Sequence, residues 1–206
     1  MGDTVSFFGL IRGFRSSDST AQPLRLDKST NSIQTIDYAH HEIHGGSSFF
    51  VCYSTADLGG MTTPADMIQL SFATPDTTKW LHMMFVAKSG GAALFTVTEA
   101  PTGGLATPTG TLAVLNCNRN LTATASTILS AAGGTPALVS YDGTVATGGT
   151  VLWSEYVGQG NATAGYTGGR FEIILKRNTV YAVSLLDTTA ITATLFLDWY
   201  EHTDIA

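Results

Sequence analysis

The run GGRFEIILKRNTVYAVSLLDTTAITATLFLDWYEHTD, residues 168–204, decides the fold. Over residues 170–177, Phe171, Ile173 and Leu175 fall on one side, while Glu172 and Lys176 fall on the other. Lys176-Arg177-Asn178 reads as a tight polar turn into a second apolar run, 179–186. Further on, Ile191, Ala193, Leu195 and Leu197 alternate with Thr192, Thr194, Phe196 and Asp198. A period of two is the mark of antiparallel strands that bury one face.

Upstream the same grammar continues. Strand candidates lie at 33–43, 47–54, 67–73, 79–87, 92–99, 111–117, 121–129, 137–141 and 150–157, before the three at 170–177, 179–186 and 191–202. Between them stand DLGG, TPDT, SGG, PTGG, AGGTP, DGT and TGG, the chemistry of turns. The run KWLHMMFVA, 79–87, is apolar on both faces, as in a central strand covered twice. No stretch holds a helical period for more than two turns, and no internal repeat is present. Composition agrees: 44% of residues are apolar, enough to bury a core, and only 13% are charged, so Thr, Ser and 22 Gly build the surface. The expectation is an all-β protein, an antiparallel β-sandwich of jelly-roll type over 33–206, preceded by an N-terminal arm over 1–32. Within 143–169, Gly and Thr predominate and part of the stretch reads as an exposed loop.

The arm has an apolar tip, Val5, Phe7, Phe8, Leu10, Ile11 and Phe14, interleaved with Arg12 and Arg15. Two readings stand for it: a first strand of the same sandwich, or a segment that docks on a neighbouring subunit. Through Lys28 the charge is +1 (Arg12, Arg15, Arg25, Lys28 against Asp3, Asp18, Asp27), and the remainder of the −6 chain is strongly acidic. An acidic body lacks the Lys and Arg that displace counterions from phosphates, so direct nucleic-acid binding is not expected. No run approaches the roughly 20 apolar residues of a membrane span. The first residues lack a basic leader, so no secretory signal is expected and the Asn120-Leu-Thr and Asn161-Ala-Thr triplets read as chance. Cys52 and Cys117 lie in apolar runs without metal-ligand spacing and read as small buried hydrophobes.

The densest group of potential ligands is His40-His41-Glu42-Ile43-His44. A zinc protease needs two His four apart on a helix with Glu beside the first; here His41 and His44 are three apart in what reads as a strand. On a strand His40, Glu42 and His44 would share a face, better suited to an interface than to a metal ion. No nucleophile elbow, phosphate loop or dinucleotide fingerprint is present. His82 reads as a satisfied core histidine, and Trp80, Trp153 and Trp199 as core or subunit packing rather than a sugar platform. No enzyme activity and no cofactor are expected.

Four stretches carry a resemblance: IDYAHHEIHGGSSFFV (36–51), TPDTTKWLHMMF (74–85), LNCNRN (115–120) and the closing hairpin with its WYEH end. In this order they resemble a widespread group of small structural proteins of tailed bacteriophages, over about residues 33–204. Asn118-Arg119-Asn120 is a polar turn, with Arg119 free to pair with Asp198, Glu201 or Glu42. Trp199-Tyr200-Glu201-His202 ends the last strand with large residues, as at a subunit contact.

The resemblance implies a virion protein on the capsid exterior, a decoration protein without catalytic activity. Its partners would be the major capsid protein and further copies of itself, a homotrimer on local three-fold axes, with no nucleic acid and no membrane. Contact candidates are Phe7, Phe8, Leu10, Ile11, Arg12, Phe14 and Arg15 of the arm, with His40, Glu42, His44, Arg119, Tyr200 and His202 of the body. Two alternatives remain open: a tail, collar or fibre-associated receptor-binding module, and a secreted carbohydrate-binding sandwich.

Overall fold

The structure is a computed structural model that describes residues 12–14, 21–23, 38–54, 67–103, 105, 109–120, 125–131, 134–142, 146–158, 172–187 and 192–203. Its elements are β1 (Arg12–Phe14), β2 (Ala21–Pro23), α1 (Tyr38–Gly45), β3 (Ser48–Ser54), β4 (Met67–Ala73), β5 (Lys79–Ser89), β6 (Ala93–Glu99), β7 (Gly110–Ala113) and β8 (Leu115–Asn116). They continue with β9 (Leu129–Ser130), β10 (Leu138–Asp142), β11 (Thr150–Val157), β12 (Glu172–Leu175), β13 (Val180–Asp187) and β14 (Ala193–Thr203).

Two antiparallel sheets pack face to face. The larger runs β11-β6-β13-β4-β10-β7, with β9 also on β4, and the smaller runs β12-β5-β14-β3-β8. Taken in chain order, β3, β4, β5, β6, β11, β12, β13 and β14 alternate strictly between the sheets, except that β6 and β11 are neighbours. In one sheet the first strand lies beside the last (β3 on β14), and in the other the second lies beside the second-last (β4 on β13). Strands β7 to β10 are an insertion that extends both sheets at one side.

Alternation explains the core. Leu195, Leu197 and Trp199 of β14, Leu81, Met83 and Phe85 of β5, Ile68, Leu70 and Phe72 of β4, and Tyr181, Val183 and Leu185 of β13 all point between the sheets. Burial of each large apolar side chain contributes about 1.5–3 kcal/mol. The closing hairpin expected from the sequence is corrected: β12 pairs with β5 and β13 with β4 and β6, so the turn at Asn178, whose φ of 49° suits its position, crosses from the smaller sheet to the larger. Thr74 fixes that turn from outside, donating from Oγ1 to Lys176 O (2.6 Å) and accepting from Thr179 N (3.0 Å). At the start of β11, Gly149 (φ +79°) turns where a Cβ would stand 2.5 Å from Glu99 O.

Several expectations are corrected. Residues 38–45 form a helix, not part of a 33–43 strand. The reason lies in the glycine that follows: Gly46 (φ 76°) donates from its N–H to Ile43 O and Ser47 N donates to Glu42 O, a closed helix C-cap that a strand reading overlooks. The 111–117 run is two strands in different sheets, broken at Val114, whose N–H is taken by Ala137 O. Of 121–129, only Leu129 begins a strand; residues 125–128 run without regular structure, and 121–124 lie outside the described residues. The outer face of β5 is half-buried, not covered. Cys52 is exposed and Cys117 half-buried rather than both buried, and neither is joined in a disulfide.

Of the arm, β1 and β2 pair with each other, Arg12 opposite Pro23 and Phe14 opposite Ala21, as a small sheet separate from the two large ones. No helix among the described residues is long and apolar enough to cross a membrane.

Candidate functional site

The outer face of the smaller sheet gathers most of the polar chemistry. On β14, Trp199 and Glu201 point inward, so Tyr200 and His202 point outward. Strand register then sets Tyr200 opposite His82 and His202 opposite Trp80, while β12 places Ile174 opposite His82 and Glu172 opposite Met84. His82 is therefore an outward residue, 13% exposed in its side chain, and not the core histidine that its apolar neighbours suggest.

Four side chains interlock there. His82 Nδ1 meets Glu172 Oε1, and Tyr200 OH donates to the same oxygen at 2.5 Å while lying 3.1 Å from His82 Nδ1. The His82 and Tyr200 rings stack with centroids 4.6 Å apart. On the other side His82 Nε2 faces His202 Nε2 at 2.7 Å, and His202 Nδ1 lies 3.2 Å from Thr203 O. A carboxylate, a phenol, two imidazoles and a carbonyl can hold and share protons, or present lone pairs to a cation.

Beside this cluster the face turns apolar. Phe50 and Phe196 stack at 5.8 Å, with Met84 and Val86 half-buried next to them and Leu115 and Ile174 exposed. Asp198 sits in the row with Phe50 and Met84, and its burial there pushes its carboxyl above the usual carboxylate range. Trp80, Ile174, Leu175, Lys176 and Arg177 line a shallow depression at the edge. Both cations are engaged, Lys176 with Glu99 and Arg177 with Thr77 O.

The sequence candidates divide. Tyr200 and His202 belong to the cluster, joined by His82 and Glu172, which the sequence reading left out. Cross-strand register alone brings the four together. His40, Glu42 and His44 lie in α1 and do not share a strand face: Glu42 is buried and His44 exposed, and the side chain of His40 lies outside the described residues. Arg119 is exposed in the turn after β8. One of the partners proposed for it, Glu201, is buried and bonded instead to Ser126, Thr127 and Trp199. The asparagines around Arg119 act through their side chains: Asn116 Nδ2 donates to Gly46 O (2.7 Å) and Asn118 Nδ2 to His44 O (3.4 Å), holding the end of α1. Arg12 and Phe14 lie in β1 with side chains outside the described residues, as are Phe7, Phe8, Leu10, Ile11 and Arg15 altogether.

A second surface escaped the sequence reading. Strand β11 is an edge of the larger sheet, with a register irregularity between Val151 and Trp153. It exposes Val151, Leu152 and Tyr156, the last 64% exposed, while Trp153 turns inward onto Phe95 edge-to-face at 5.4 Å. No family model, no curated protein and no solved structure matches this chain.

Proposed function

We propose that this chain is a virion structural protein of a tailed bacteriophage that decorates the capsid exterior, binding the major capsid protein across capsomer boundaries as a homotrimer and catalysing nothing. The strand order supports reading the sandwich as a jelly roll, an architecture found in viral capsid proteins and also in lectins. That likeness is of fold alone and does not decide function. The observation that carries the reading is a pair of exposed apolar surfaces: the β11 edge with Val151, Leu152 and Tyr156, and, on the smaller sheet, Leu115 beside the Phe50–Phe196 pair. An open sheet edge with large apolar side chains is a contact awaiting a partner, because unpaired backbone groups and apolar area both gain by being covered.

On this reading, copies join through the β11 edge around a closed symmetry axis, and the arm, whose apolar tip also carries Arg12 and Arg15, grips the shell. Burying about 25 cal/mol for each Å² of apolar surface across capsomers opposes the outward pressure of packaged DNA. The test is the protein's copy number in purified particles. Hundreds of copies in register with the capsid lattice are expected; a handful at a single vertex would move the protein to the tail, collar or fibre, and absence from particles would refute the virion reading.

A further inference from the structure

On the outer face of the smaller sheet, Glu172 is bonded to His82 and Tyr200, whereas Asp198 lies among apolar groups. Register puts Phe50 beside Asp198 on β3 and Met84 beside it on β5. Phe196, two residues earlier on the same face, stacks on Phe50, and Leu115 extends the band beyond Phe50. Asp198 is half-buried there, and only the backbone N–H of Trp199 favours its charge. Among the described residues no cation is paired with it: Lys79 stands by Glu201, Lys176 by Glu99, and Arg177 donates to Thr77 O. A carboxylate partly withdrawn from water and left without a counter-charge is costly to the isolated fold. Burying the band under apolar groups alone would raise that cost, whereas a partner that brings a cation offsets it.

We propose that this band is the docking site for an arginine of a partner protein, its guanidinium paired with the Asp198 carboxylate and lying against the Phe50–Phe196 pair. The planar fork of a guanidinium donates two parallel hydrogen bonds to a carboxylate. It is also more weakly hydrated than an ammonium and stacks on aromatic rings, so it suits a charge set among phenylalanines better than a lysine does. Met84, Val86 and Leu115 take the apolar residues that flank the arginine and so keep water from the ion pair, as the surroundings of arginine anchors do at protein interfaces. The band lies open on a sheet face, a shape that fits a polypeptide surface rather than a small molecule, which calls for a concave site.

The site does not depend on the virion reading, since absence of the protein from particles leaves it standing. The full-length chain tests it with a capped pentapeptide, an arginine between two leucines with glycine at each end. Binding is followed at pH 8 through the NMR signals of the Met84, Val86 and Leu115 methyl groups. Saturable binding in the millimolar range is expected. It should weaken about tenfold or more when citrulline, which keeps the shape and loses the charge, replaces arginine, and about threefold with lysine. Asp198→Asn should weaken the arginine peptide by about tenfold and Phe196→Leu by about threefold. Glu172→Gln, at the neighbouring carboxylate, should change it by less than about twofold. The citrulline comparison needs no substitution in the protein, so it reads the ion pair whether or not a variant folds. Equal binding of the arginine and citrulline peptides, lysine as good as arginine, or an affinity unchanged in Asp198→Asn would each overturn the assignment. So would a failure to saturate by about ten millimolar, which is weaker than one desolvated ion pair with apolar flanks provides.

Discussion

Glu201 and Ser126 join the last strand to the irregular segment before β9: the Ser126 hydroxyl donates to Glu201 Oε1 at 2.5 Å, with both side chains buried. The same carboxylate accepts from Thr127 N, Thr127 Oγ1 and Trp199 Nε1, and Lys79 Nζ stands 3.8 Å away. Residues 125–128 have no ladder of their own, so this acceptor replaces one. Glu201→Gln turns a two-oxygen acceptor into one that must point an N–H₂ group at other donors. The expected cost is about 2–3 kcal/mol, against about 1 kcal/mol for Ser126→Ala. Urea unfolding monitored by Trp fluorescence measures both; a Glu201→Gln cost under about 0.5 kcal/mol would show that the segment is held by other means.

This clamp also marks the limit of what the sequence shows. The two-residue period of β12 and β14 was legible because each alternates between a more and a less buried face, whereas β13 is buried on both. The WYEH ending was legible as large residues at a strand end, but not as two pairs facing opposite ways, Trp199 and Glu201 in, Tyr200 and His202 out. Burial of a glutamate runs against its hydropathy and is seen only when its donors arrive from residues 126 and 127. Likewise the apolar neighbours of His82 hid its outward position, since register across β12, β5 and β14 supplies Glu172 and His202. The helix at 38–45 was hidden because a two-turn helix has too little length to display a period; the Gly45-Gly46 pair was the available signal.

Glu99, Lys176 and Tyr181 give the fold a pH dependence with a definite sign. The Lys176 ammonium bonded to Glu99 holds its carboxyl below the usual range, and the Tyr181 hydroxyl, donating to Glu99 Oε2 at 3.0 Å, acts in the same direction. A carboxyl lowered on folding contributes stability that is complete above its unfolded value near 4.5 and is lost as pH falls through the lower folded value. Lys176→Met should therefore lower stability at neutral pH and flatten the decline on acidification below 4.5. Parallel stability–pH curves for parent and variant would remove Lys176 from this role. Tyr181→Phe, which also strips the Lys176 N–H of its acceptor, should cost about 1–2 kcal/mol at pH 7.

Asp198 has the opposite sign. Its burial beside Phe50 and Met84 raises its carboxyl above 3.8, so the fold prefers it protonated. The benefit of keeping it neutral is fully present below 3.8 and is lost as pH rises through the raised value. Asp198→Asn is accordingly expected to raise the melting temperature at pH 7 by about 2 °C or more and to leave it unchanged at pH 3. A stabilisation equal at both pH values would trace to the amide's own contacts and sink the desolvation account.

The β11 edge gives the sharpest test of assembly. Tyr156 is mostly exposed and Val151 more than half so, on a strand whose outer backbone edge has no partner strand among the described residues. Changing Tyr156→Glu removes no core contact, so the variant should melt within about 2 °C of the parent, as surface substitutions generally do. At an edge-to-edge contact between copies, however, it places a charge in desolvated surroundings, which costs far more than the few tenths of a kcal/mol of an exposed change. Sedimentation velocity at tens of micromolar should then show the parent as a trimer and Tyr156→Glu as a monomer, with Lys88→Glu on the other sheet remaining trimeric. A monomeric parent, or a trimer indifferent to Tyr156→Glu, would remove β11 as the subunit contact and leave the smaller sheet's apolar band as the surface to examine next.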